Sequence, residues 1–111
     1  MASGYHLTPI GGGNFLLEPS RSLDISQQDR LVIEVINRLQ QARSQRLYYD
    51  LAELPVIEQV YYGWLDRLAR ACSAINIRMV CIHMQPTAAF GLAHIIVEAP
   101  VFETALDVME R

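Results

Sequence analysis

The chain is short of positive charge. Nine arginines, with no lysine, against twelve aspartates and glutamates leave a formal net charge of −3 at neutral pH. Phosphate backbones and anionic lipid surfaces call for a basic surplus, so nucleic acid is not an expected partner. Long apolar runs are missing too. The longest, "AAFGLA" at 88–93, falls far short of the ~20 residues that cross a bilayer, so no membrane span is expected. Only two cysteines occur, Cys72 and Cys81, neither with a C-x-x-C partner, and "MASGYHLTPIGGG" lacks the charged and apolar regions of a signal peptide. They read as packed, reduced thiols in a cytosolic protein.

Recognisable chemistry is equally thin. His6, His83 and His94 fall in three separate elements with no short metal-ligand spacing, so no metal site is expected. Gly11, Gly12 and Gly13 are followed neither by the lysine of a P-loop nor by a helix, and no serine sits in a G-x-S-x-G elbow. No cofactor is implied and enzymatic activity is not expected. Low-complexity tracts, internal repeats and linkers are absent as well. With 51% apolar and 19% charged residues, residues 1–111 read as one ordered globular domain.

The pattern along the chain is α/β. "YHLTPI" and "NFLLEP" are extended segments joined by the three glycines, whose freedom to adopt positive φ suits a hairpin. Ser26 and Asp29 form a capping-box-like start to a first helix reaching about Arg43, with Leu31, Val32, Val35, Ile36, Leu39 and Ala42 on one side. "RLYYDL" and "RMVCIHM" are strands apolar on both faces, as interior strands are. A helix from about Gln59 to Ile75 lies between them, a β-α-β unit with a right-handed crossover. Pro86 suits the first turn of "PTAAFGLAHI", and "FETALDVMER" reads as a short amphipathic closing helix. The expected architecture is a small mixed sheet of about four strands flanked by about four helices, in the order β-β-α-β-α-β-α-α.

Two places invite a functional reading. Asp50 ends a strand beside a helix amino-terminus, where open α/β sheets present functional groups; it either fixes the loop by binding its amides or takes part in chemistry, with His83 at another strand end as its one conceivable companion. On a helical wheel, Trp64, Leu65, Leu68, Ala71, Cys72 and Ile75 form the buried arc of the second helix, with Tyr61 inside it. Gln59, Tyr62, Gly63, Asp66, Arg70 and Ser73 face solvent. Tyr62 is thus expected to be an exposed aromatic beside a glycine, edged by the i,i+4 pair Asp66 and Arg70. That is either a contact site with a polar rim or a plain solvated face. Ile33, on the polar side of the first helix, is a weaker second candidate or an isolated surface residue.

The stretch "YYDLAELPVIEQVYYGWLDRLARACSAINIRMVCIHMQP" resembles the core of STAS domains, the anti-sigma-factor antagonists: an apolar strand, Asp-Leu, a short loop, Leu or Val-x-x-Ile-Asp-Ser, an amphipathic helix and a further apolar strand. "MQPTAAFGL" and "FETALDVMER" are similar to the "I-x-P-x-x-A-x-x-L" and "x-x-T-A-L-D" segments of single-domain stressosome scaffold proteins. The resemblance implies a non-enzymatic bacterial switch module in stress signalling and transcription control. Its expected partners are a switch kinase or anti-sigma factor or other STAS proteins, with self-assembly possible. In that family a serine at the start of the second helix is phosphorylated, at the positive end of the helix dipole. Here Leu47 to Leu65 contains no serine or threonine; Glu58 stands at the family's aspartate and Gln59 at its serine. Glutamine cannot accept a phosphate. The domain is then a fixed binder, a fixed non-binder, or controlled elsewhere, for instance at Thr87. The fixed binder is the favoured reading, through Glu58, Gln59, Tyr62, Gly63, Asp66 and Arg70. The alternative is a small-ligand or nucleotide sensor using the bare helix terminus near Gln59.

Overall fold

The computed structural model describes residues 4–96 and 98–108. A hairpin opens it: β1 (Tyr5–Gly11) runs antiparallel to β2 (Asn14–Pro19), with Gly11, Gly12 and Gly13 at φ of 91°, 64° and 78° in the reversal. Positive φ at three successive positions is what residues without Cβ tolerate. A single 3₁₀ turn (Ile25–Gln27) leads into α1 (Gln28–Gln41). The expected cap at Ser26 is displaced by two residues. The Asp24 carboxylate accepts from the Ser26 amide at 3.1 Å and from its hydroxyl at 2.6 Å, so Asp24 starts the turn. At the other end Arg43 takes φ of 54°, which closes the helix sooner than expected.

Next come β3 (Arg46–Asp50), α2 (Gln59–Ala74), β4 (Arg78–Ile82), α3 (Pro86–Leu92) and β5 (Glu103–Ala105). The sheet order is β1-β2-β3-β4-β5, and every pairing after the hairpin is parallel. The mixed α/β sheet expected from the sequence is present. Its last element is corrected: the segment read as a closing helix is a strand over Glu103–Ala105, while residues 109–111 of that reading lie outside the described residues. Among the described residues this gives five strands and three α-helices. Pairing overrides the helical pattern here. Val80, Cys81 and Ile82 of β4 oppose Glu103, Thr104 and Ala105, and the Arg78 guanidinium grips both Glu103 carboxylate oxygens at 2.7 Å.

One face of the sheet carries all three helices. Leu17, Leu47, Tyr49, Met79 and Cys81 meet Leu31, Val35, Leu39, Trp64, Leu65, Leu68, Cys72, Ala88 and Leu92 there. On the other face Tyr48, Val80 and Ile82 form a smaller cluster with Leu16, Ala105 and Val108, with no helix residue in it. Alternation along β3 and β4 sends successive side chains into the two clusters, so both strands read as apolar throughout. Both cysteines are free and buried, and burial pushes the Cys72 thiol up to about 12 and Cys81 higher still. Neither is a thiolate at neutral pH.

Candidate partner-binding site

Ile57, buried in the core, anchors the loop from β3 to α2, and the chain then turns outward into α2. The Glu58 backbone is extended at φ −81° and ψ 166°, and its side chain makes no capping bond, so no side chain occupies the first-turn amides. Glu58, Gln59 and Gly63 are exposed. A Cβ at Gly63 would meet nothing within 4 Å. Two apolar side chains missed by the sequence reading flank this start: Val56 is 59% exposed and Val60 67%. The only signal for them was position, since valines near a core helix carry no mark of exposure.

Tyr62 requires a correction. It is half-buried, packed against the core, and its ring meets Phe102 edge-on at 6.0 Å between centroids and 69° between planes. The wheel could show which side of α2 faces the sheet, but not that the chain beyond α3 returns to cover Tyr62. Asp66 and Arg70 do form the expected pair, Nε to Oδ2 at 2.8 Å, on the exposed side. With Tyr62 they edge a shallow groove completed by Ile95, Glu98 and Ala99. Further along, Arg67 pairs with Asp29 of α1. Ile33 is exposed on α1.

Thr87 is exposed at the start of α3, and its hydroxyl donates to the Pro55 carbonyl, tying α3 to the loop before α2. One turn on, Phe90 is 72% exposed with its edge against His94, 5.0 Å between ring centroids.

Asp50 and His83 are brought together. Asp50 Oδ1 accepts from the Ala52 amide at 2.9 Å, fixing the turn, and lies 3.0 Å from His83 Nδ1. Asp107, which the sequence reading did not single out, lies 3.0 Å from Nε2. The bond to Asp50, joined by the one to Asp107, raises the His83 pKa above 6.5 while burial opposes it. With a carboxylate on each nitrogen, the imidazole has no free nitrogen to take a proton from a substrate. His6 lies in β1 and His94 in the turn just past α3, and no cluster of three metal-ligating side chains occurs among the described residues. None of the described helices is long and apolar enough to cross a membrane.

A hairpin followed by three parallel crossovers, in strict sheet order, defines the class: an α/β fold with STAS-like topology, β-β-α-β-α-β-α-β. Among solved structures the chain is similar to a serine-to-glutamate variant of RsbS from Moorella thermoacetica, with a TM-score of 0.74, 16% identity, and coverage of 94% of this chain and 87% of that one. It is similar to the protein TM1081, solved by NMR, with a TM-score of 0.75, 11% identity, and coverage of 96% and 82%. A chain from the stressosome, described with that structure as a signal integration and transduction hub, aligns with a TM-score of 0.64, 16% identity, and coverage of 93% and 89%. No protein-family model and no curated protein matches the chain. At these identities the likeness is one of fold.

Proposed function

We propose that this chain is a non-enzymatic STAS-type regulatory module that binds a protein partner through the start of α2, held in its binding state by Gln59. One observation carries the reading: the first turn of α2 and its approach carry no capping side chain and present two apolar ones, Val56 and Val60, more than half exposed beside Glu58 and Gln59. An apolar centre with a polar rim is the composition of a contact site. Glu58, Asp66 and Arg70 supply the rim, and Gly63 lets a partner backbone approach closely. Tyr62 contributes as the packed edge of that face and not as a protruding anchor. The partner classes that fit are a switch kinase or anti-sigma factor, or further STAS proteins in an assembly like the one the similar stressosome chain comes from.

Gln59 offers no hydroxyl, so phosphate cannot be added where the resembling proteins carry serine. Control by phosphorylation would fall to Thr87, whose modification would remove its donor bond to Pro55 and loosen the loop that carries Val56. A small anion or nucleotide phosphate at the same helix start is the less favoured reading, because the Glu58 carboxylate sits at the mouth of that terminus.

The test is molar mass by light scattering, for the protein alone and mixed with a candidate switch kinase and ATP. A stable complex, or a large self-assembly, is expected with no phosphate transferred to the protein. Val56→Asp combined with Val60→Asp should abolish it while leaving the circular dichroism spectrum unchanged. Equal masses for intact protein and double variant would sink the proposed face, and a lone monomer under all conditions would sink the binding reading.

A further inference from the structure

A second feature opens beside the partner face, between the turn after β2 and the loop after β3, on side chains that face does not use. Arg21 and Leu23 on one side and Glu53, Leu54 and Tyr61 on the other line a cleft of about 390 Å³, within the range of roughly 300–1,000 Å³ usual for small-ligand sites. Its floor is apolar, and its rim holds one cation and one anion. Arg21 and Glu53 are exposed, and among the described residues neither belongs to an ion pair, with each other or with a third group.

Tyr61, which lines the cleft, ends a hydrogen-bond chain that comes from the core, and the direction of that chain follows from the acceptors within reach. Trp64 Nε1 donates to the Tyr49 hydroxyl oxygen at 2.9 Å, and the Tyr49 and Tyr61 hydroxyls lie 2.6 Å apart. Two phenolic protons are available and one fills the line between the oxygens. If Tyr61 supplied it, the Tyr49 proton would be left with no acceptor at a fully buried residue. Tyr49 is therefore the donor and Tyr61 the acceptor. The Tyr61 proton is left over, on a half-buried ring that lines the cleft, with no acceptor among the described residues. Burial pushes this phenol up to about 12, so the proton stays in place at physiological pH.

We propose that the cleft binds a small apolar amino acid, its carboxylate on the Arg21 guanidinium and the Tyr61 hydroxyl, its ammonium on Glu53, and its side chain against Leu23 and Leu54. Each polar group of the site then gains the partner it lacks, and the two opposite charges explain a zwitterion better than a simple acid. None of Gln59, Val60 or Gly63 takes part, so the site stands or falls independently of the partner face.

Titration of the ¹⁵N-labelled full chain with L-leucine, followed by NMR, tests this. Leucine should shift the amide signals of Leu23, Leu54 and Tyr61. 4-Methylpentanoic acid, which lacks the ammonium, and 3-methylbutylamine, which lacks the carboxylate, should each bind about tenfold more weakly or worse, the loss of one charged hydrogen bond. Arg21→Gln, a surface change that leaves the core intact, should weaken leucine at least about tenfold and leave the amine unaffected. Tyr61→Phe keeps the ring and should weaken both carboxylates by a common factor. Cleft signals unmoved at roughly 20 mM leucine, saturating for a Kd near 1 mM, would overturn the site; so would shifts that survive Arg21→Gln. Equal binding of leucine and 4-methylpentanoic acid would overturn the amino-acid assignment.

Discussion

Tyr48 and Tyr49 are adjacent in β3, both fully buried, and alternation sends them to opposite faces of the sheet. Their hydroxyls have opposite fates. The Tyr49 hydroxyl accepts from Trp64 Nε1 and donates its proton to the Tyr61 oxygen, while the buried Tyr48 hydroxyl has no hydrogen-bond partner. Deleting the same atom should therefore destabilise at one position and not at the other. Tyr49→Phe strands the Trp64 N–H in the core and should cost about 1–3 kcal/mol. Tyr48→Phe removes a desolvated group that bonds to nothing and should leave stability unchanged or raise it by up to about 1 kcal/mol. Urea unfolding midpoints compared at constant slope check both. A loss on Tyr48→Phe equal to that on Tyr49→Phe would mean that the Tyr48 hydroxyl is paired after all.

At the scale of elements, local signals sufficed wherever the cause of the element is local. The triple glycine marks the hairpin, and the apolar arc marks α2, whose observed span of Gln59–Ala74 stops one residue short of the expected end. β5 was not legible because nothing inside it requires a strand; three residues are held extended by the β4 register and the Arg78–Glu103 pair, which come from elsewhere in the chain. The same limit explains Tyr62, whose cover, Phe102, lies forty positions further on. In the candidate site, Gln59 and Gly63 are exposed as the wheel expects and Glu58, just before the helix, is exposed beside them, whereas Val56 and Val60 had no polar neighbour pattern to mark them. Gly63 then stands out within α2. A helix-interior glycine costs roughly 0.5–1 kcal/mol relative to alanine, and the chain's own packing gives no reason for it, since an added Cβ would touch nothing. Gly63→Ala should stabilise the isolated protein by roughly that amount while weakening the partner complex. Thermal denaturation gives the first effect and light scattering the second. A variant both more stable and equally competent in assembly would remove Gly63 from the contact face.

For the whole molecule, the C-terminal ends of β3 and β4 and the chain beyond β5 are joined at one point: His83 between Asp50 and Asp107. His83 takes φ of 59°, a conformation that turns the chain off β4. As an imidazolium it donates to both carboxylates; as a neutral ring it can donate to only one and turns a lone pair toward the other. Its pKa is raised above 6.5, first by the bond to Asp50 and then by that to Asp107. The folded state thus holds the proton more tightly than the unfolded chain, so the stabilisation is complete below about 6.5 and is lost as pH rises through the higher folded value. Asp107 acts in the opposite direction: the Val108 amide and then His83 lower its pKa below 3.8, giving stability present above that value and lost as pH falls through the folded one. The pH range of greatest stability from this cluster therefore lies between the two ordinary values, 3.8 and 6.5. Thermal midpoints measured from pH 5 to 9 should decline on the alkaline side in the intact protein. His83→Asn, a side chain that tolerates the same backbone conformation but does not titrate, should flatten that decline. As the ring loses its proton the Asp107 contact should weaken first, because the Asp107 side chain is 74% exposed and that of Asp50 18%. Amide exchange at Thr104 to Val108 should then rise with pH before exchange in β3 and β4 does. An alkaline decline undiminished in His83→Asn would place the titrating group elsewhere and leave this junction as packing alone.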